Sequence, residues 1–446
     1  MAANRFGISL LAATLALSGG AFAQEAAKTE DEFGDSAWDE MGDWGEEDTA
    51  SPFSWAGFID IAAGTRLQSD STIRGDTTLT DIRGQFQADY AFESSKIGFR
   101  GDVWYDGVTD GWESQIRELY WQGNLGFLGK AGEKFDLKAG QQILTWGVGD
   151  YLFLNDLFPK DYQSFFAGRD DDYLKYPSLA VKLSGYFDFV NVDFVVMPEF
   201  EPDNGINGEY FSYFNPMLGE NTGARMVIPD ENKPDDPEYA LRLYRSVAGT
   251  ELAIYGYKGY TKLPEAADML GRPMYSDLTV TGFSAIRPVG PGIGKLEYAF
   301  HDGEDTDGSD PFIPNDQSRL LIGYEQELVA NLTGGVQWYT EFNHDYDARI
   351  ANSPWPQFEA AERRHVITTQ LRYQALQQTL VLHAFNFWSP TDDDGFLRFR
   401  ATYSPSDKWQ VSGGMNLFYG DEAHTFYGQF EDASNVYASF RYFFEG

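Results

Sequence analysis

Cysteine is absent from this chain of 446 residues. That single absence removes disulfides, thiol catalysis, cysteine-ligated zinc and iron–sulfur clusters together. Positive charge is scarce: 33 Lys+Arg stand against 69 Asp+Glu, a formal net charge of −36, which argues against nucleic acid as a partner. Long apolar runs are missing as well. Beyond the first residues nothing approaches the roughly 20 consecutive apolar positions of a membrane helix, so an inner-membrane helix bundle is excluded. Enzyme signatures are also lacking. The five histidines, His301, His344, His365, His383 and His424, are scattered, and neither HExxH nor GxSxG occurs, so no enzyme, metal or cofactor is expected. Two acidic triplets, Asp170–Asp172 and Asp392–Asp394, have calcium-type oxygen ligands but no glycine-spaced loop, and they read as solvated acid.

The N-terminus has a short polar start with Arg5, an apolar run from Ile8 to Leu17, and Ala21-Phe22-Ala23 before Gln24. This is the pattern of a secretory signal with an A-x-A-like cleavage site, too short to span a bilayer. Residues 1–23 are therefore set apart. Residues 24–53 form a second region. From Gln24 to Ser51 it carries eleven acidic residues and only Lys28 as a base, interleaved with Phe33, Trp38, Met41 and Trp44. It has too little apolar material for a core and is expected to be disordered alone. Its aromatics Phe33, Trp38 and Trp44 have the character of anchors for a partner, for which a periplasmic or inner-membrane transporter is the expectation; the alternatives are an unstructured spacer or a segment tucked into the barrel mouth.

From residue 54 onward the period is two. Ile82, Gly84, Phe86, Ala88 and Tyr90 alternate with Arg83, Gln85, Gln87 and Asp89. Leu397, Phe399, Ala401 and Tyr403 alternate with Arg398, Arg400 and Thr402 in the same way. An apolar face toward lipid and a polar face toward water give a transmembrane strand that looks only half apolar. Continuing this reading predicts an all-β fold, a transmembrane antiparallel barrel over 54–446 of about eighteen strands, with sixteen if two weak runs fail. The expected starts are 55, 81, 96, 114, 132, 178, 190, 239, 250, 277, 293, 317, 331, 363, 378, 395, 408 and 436. Alternate connections, near 93, 127, 189, 248, 290, 329, 375 and 405, are brief, as expected of periplasmic turns, and the others are longer. Thr425–Phe430 is taken as loop, since counting it would give nineteen strands. Both termini are then periplasmic and the barrel sits in the outer membrane of a Gram-negative bacterium. Its expected partners are outer-membrane lipid, lipopolysaccharide and the barrel-assembly machinery, because the run Val436 to Phe444 is similar to an assembly signal strand.

An eighteen-strand barrel leaves an aqueous lumen unless something fills it. The predicted filler is the connection from Trp146 to Tyr176, with Trp146, Asp150, Phe158, Lys160, Phe165, Phe166 and Arg169, because an exposed loop has no need of so many aromatics. Folded inward it would constrict a pore. The lumen-side bases are Arg83, Arg100, Lys138, Lys182, Arg242, Arg372, Arg398, Arg400 and Arg441. Opposite them stand Asp89, Asp102, Asp136, Glu118 and Glu297. Two readings stay open here: a transverse field selecting polar or anionic solutes, or cross-strand pairs that satisfy one another.

The run Gly140-Gln141-Gln142-Ile143-Leu144-Thr145-Trp146-Gly147, followed by Asn155-Asp156-Leu157-Phe158-Pro159, resembles the strand-to-loop signature of alginate-export-type and related outer-membrane porins. That resemblance implies an eighteen-strand barrel with a charged, loop-restricted pore. The motif covers only this stretch. Only about thirty residues lie between the signal and the first strand, too few for the N-terminal plug of a large outer-membrane transporter. A passive porin is the first expectation. An outer-membrane partner of a transporter exporting lipid or another apolar molecule is the second.

Overall fold

The computed structural model describes residues 51–446, so the signal-like segment and the tail anchors Phe33, Trp38 and Trp44 lie outside the described residues. Eighteen antiparallel strands form one sheet: β1 (Phe53–Arg66), β2 (Thr77–Ala91), β3 (Ser95–Asp106), β4 (Gly111–Asn124), β5 (Phe135–Gln142), β6 (Ser178–Tyr186), β7 (Asn191–Met197), β8 (Glu238–Val247), β9 (Thr250–Tyr260), β10 (Asp277–Val289), β11 (Gly292–Asp302), β12 (Gln317–Val329), β13 (Leu332–Asn343), β14 (Arg363–Ala375), β15 (Leu380–Ser389), β16 (Asp394–Ser406), β17 (Trp409–Tyr419) and β18 (Asn435–Glu445). Each strand pairs with the next in sequence. The first then pairs with the last, in a register that includes Asp60↔Arg441 and Ala56↔Glu445, so the sheet closes on itself. Closure leaves no sheet edge to face lipid, which is what an apolar solvent demands of strands. Glu445-Gly446 extend beyond the last aromatic residue and complete the seam: Gly446 N donates to Trp55 O at 3.0 Å, and Trp55 N to Gly446 O at 3.3 Å.

The alternation read from sequence is the alternation of faces. Ile82, Phe86 and Tyr90 are exposed on the outer surface, while Arg83 and Gln85 between them are buried toward the lumen. Every predicted start falls close to an observed one, the largest gap being 81 against Thr77. Thr425–Phe430 lies in the connection between β17 and β18, where a short 3-10 turn spans Gly428–Ala433.

The two rims differ less sharply than expected. At the rim of the turns, connections are as short as 248–249 and 290–291, but the one near 127 runs from 125 to 134 and folds into two 3-10 turns. Asn124 organises it by accepting from Gly126 N at 2.8 Å while donating to Asp136 at 2.9 Å. At the opposite rim most loops are long, yet 107–110 and 390–393 are tight.

The barrel's apolar core is internal. Leu144, Leu154, Phe158, Phe165 and Phe166 from the connection between β5 and β6 pack in one cluster with inward residues such as Val195, Ala299, Leu321, Phe385 and Phe396.

Candidate permeation site

The chain leaves the wall after Gln142, two residues past Gly140, whose φ of +130° and the 2.2 Å between a hypothetical Cβ and Leu119 O admit only glycine. It returns at Ser178. Between these points the loop is held first by β11. Glu297 accepts from Val148 N at 2.8 Å, from Asn155 N at 3.1 Å and from Asn155 Nδ2 at 2.8 Å. Asp150 binds Lys295 at 3.0 Å, and its backbone N–H donates to Gln337 on β13 at 2.9 Å. Trp146 stacks edge-on against Phe158 at 5.0 Å and leans on Tyr255 of β9. Lys160 is buried and donates to Asp156 at 2.9 Å and to Phe158 O at 2.7 Å.

A short helix, α1 (Tyr162–Ala167), then crosses toward the far wall. Asp161 caps it by accepting from Ser164 N at 2.8 Å. Gly168 ends it in the left-handed region at φ +89°, where a Cβ would stand 2.2 Å from the Tyr437 ring of β18. Phe166 lies among Phe396 at 5.6 Å, Phe418 at 4.8 Å and Phe430 at 5.1 Å. Asn416 and Asn435 both donate to its carbonyl at 2.9 Å.

Charge takes over after Gly168. Arg169 reaches Asp81 on β2 at 2.6 Å and Asp106 on β3 at 3.3 Å. Arg398 on β16 meets Asp171 at 2.5 Å, Arg400 meets Asp170 at 3.3 Å, and Arg441 on β18 divides itself between Asp170 at 3.3 Å and Asp60 at 2.9 Å. Burial would raise the Asp170 carboxyl, but Arg400 and Arg441 outweigh it and hold it below the usual carboxylate range. Four of the six triplet acids are thus not solvated, while Asp172 and Asp393 are exposed. Asp170 and Asp171 are spent on wall arginines, Asp392 pairs with Arg364 at 2.6 Å, and Asp394 accepts from Tyr427 N at 2.6 Å.

Five of the nine wall bases stand elsewhere. Arg100 and Lys138 share Glu118, at 3.0 and 3.3 Å; Lys182 faces Asp193 at 3.7 Å; Arg242 lies 4.4 Å over the Tyr244 ring; Arg372 sits in register with His383. Arg83 joins the loop cluster through Asp81 and Asp102 and lies 4.4 Å over Tyr173. Three buried bases, Arg66, Arg117 and Lys262, were missed in the sequence, and one of them meets the loop. Arg117 of β4 donates to the carbonyls of Asp172 and Lys175, at 2.7 and 3.2 Å. The β3–β4 register shifts at Arg100/Gly101, a bulge that turns both Arg117 and Glu118 inward. Only the change of apolar phase from Trp112 and Ile116 to Leu119 and Trp121 signals it.

No protein-family model matches the chain, and no curated protein does. Solved structures do. The barrel is similar to Pseudomonas aeruginosa OccK9 (OpdG), at 10% identity and a TM-score of 0.53, over 88% of this chain and 98% of that one. It is also similar to P. aeruginosa OccK5 (OpdH), at 9% and 0.52 over 88% and 98%, and to Acinetobacter baumannii OccAB3, at 11% and 0.51 over 88% and 99%. The fold is that of an outer-membrane β-barrel: closed, antiparallel, eighteen-stranded. The likeness extends to porin-type barrels and does not single out the alginate-export type that the Gly140–Gly147 motif suggested.

Proposed function

We propose that the protein is a passive outer-membrane channel for small polar or anionic solutes, narrowed by the loop between β5 and β6, with both termini in the periplasm. The observation that carries this reading is the path of the loop. It is bonded to β11 and β13 on one side and to β2, β16 and β18 on the other, so any solute crossing the lumen must pass beside it. Away from the loop the lumen wall carries Arg100, Arg242 and Arg372, and guanidinium is always charged and suits carboxylate or phosphate oxygens.

The test is ion conductance of purified protein in planar bilayers, comparing the native chain with Arg398→Ala and Arg400→Ala. One unit charge about 4 Å from a passing ion in water is worth about 1 kcal/mol. Each substitution should therefore lower the anion-to-cation permeability ratio by about fivefold. A folded barrel that never conducts would overturn the proposal.

A further inference from the structure

The triplet Asp170–Asp172 and the wall arginines meet in an unusual way. Arg169 grips Asp81 with both arms, Nε to Oδ2 at 2.6 Å and Nη2 to Oδ1 at 3.0 Å, whereas neither Asp170 nor Asp171 is held that way by a wall arginine. Arg441 gives one nitrogen to Asp60 and another to Asp170, Arg400 is split between Asp170 at 3.3 Å and Asp171 at 3.9 Å, and Arg398 reaches Asp171 through Nη2 alone. Arg398 and Arg400 also donate to the Arg169 carbonyl, at 3.4 and 3.1 Å. Donors remain unspent: Arg398 Nε and Nη1, Arg441 Nε and the Tyr437 hydroxyl are buried without a hydrogen-bond partner. Of these residues Arg441 lines a small cavity, together with Asp60, Asp81, Arg83, Asp170 and Arg400. Buried donors of this kind represent unmet binding capacity. A free carboxylate can present both oxygens to one guanidinium fork, a geometry that the loop's own acids do not achieve.

We propose that Asp170 and Asp171 are tethered ligands of the Arg398, Arg400 and Arg441 site, and that a diffusing carboxylate solute opens the constriction by competing with them. This rests on the channel reading and adds how its constriction is controlled. The resting loop is self-occupied. Arg169, anchored to Asp81 and Asp106, keeps the two acids at the wall; when a solute takes the arginines, the segment Arg169–Asp171 loses its contacts to β16 and β18 while the Glu297 and Asp150 anchors on the other side persist. Competition requires only that the solute bind the released state better than the occupied one.

The cysteine-free chain permits a direct test. Tyr437, buried on β18 against Gly168, is replaced as Tyr437→Cys, and in a second protein Ser439→Cys, on the same wall beside Asp170, is used in case the first packs poorly. Labelling by a membrane-impermeant maleimide is followed on folded protein with succinate, or with choline chloride at matched ionic strength. Succinate should speed labelling at least about fivefold over chloride, the low end of coupling between linked sites. In Asp170→Asn/Asp171→Asn the fast rate should hold without succinate and should no longer respond to it. Equal rates in succinate and chloride on a barrel that conducts would overturn the latch and leave the channel standing. A barrel that never conducts, whatever its labelling, would overturn the channel reading itself.

Discussion

The loop is held to the two sides of its final crossing by different chemistry. Around Phe166 the contact is a cage of phenyl rings from β16, β17 and the β17–β18 connection, closed by two asparagine amides on one carbonyl. Three residues later the contact is ionic, with Arg169, Asp170 and Asp171 set against Asp81, Arg398, Arg400 and Arg441. Apolar burial is nearly indifferent to which solutes are present, whereas buried ion pairs depend on each partner's being answered. The aromatic half therefore sets where the loop sits. The ionic half sets what can displace it.

The comparison is broken most severely at the aromatic side. Phe166→Ala should cost about 3–5 kcal/mol of local stability, because a fully packed ring leaves a cavity that its neighbours fill only in part. Hydrogen exchange of the α1 amides should then rise toward that of the exposed loops. Protection unchanged from the native protein would mean that the ionic half alone seats the loop.

The second test separates breaking an ion pair from replacing one. Arg441→Met strands Asp60 and leaves Asp170 with Arg400 alone, and should destabilise by about 3 kcal/mol in thermal unfolding. Adding Asp60→Asn and Asp170→Asn should recover most of that loss, since neutral groups bear burial better than orphaned charges. If the triple variant is as unstable as the single one, Arg441 acts through packing on Phe58, over whose ring it lies at 4.2 Å.

The smallest effect concerns pH. Asp203, in the connection between β7 and β8, accepts from Lys160 N at 2.7 Å and so joins a second loop to the first. Burial pushes its carboxyl up to about 7, against the opposing pull of Lys160 and Lys262, with Glu265 adding to the rise. A raised carboxyl means that the folded state holds the proton more tightly than the unfolded one. Its contribution is full below about pH 4 and is lost as pH rises through 7. Exchange at the Lys160 and Asn204 amides, corrected for intrinsic rates, should increase modestly over that window, and Asp203→Asn should flatten the profile.

How much of this was legible depended on range. Strand positions follow from a period of two and from local turn residues, so Ile82 and Arg83 declare their faces without any knowledge of their partners. The inward loop was legible from its aromatics, because Phe165 and Phe166 have no role on a wet surface. Arg117 was not, since one inserted residue at a bulge flips the phase of a strand. The true neighbours of Asp170 and Asp171 were not legible either. The run of three acids reads as solvated because nothing near it in sequence is basic except Arg169 and Lys175, while its partners Arg398 and Arg441 lie more than two hundred residues away.

The sequence by itself therefore determined the eighteen-strand barrel, its two faces and the loop that turns inward, because alternation and turn chemistry act between near neighbours. Only the tertiary structure decided which charges meet. The closed wall brings β2, β16 and β18 around one loop segment, and pairing across a lumen has no period that a linear reading can detect.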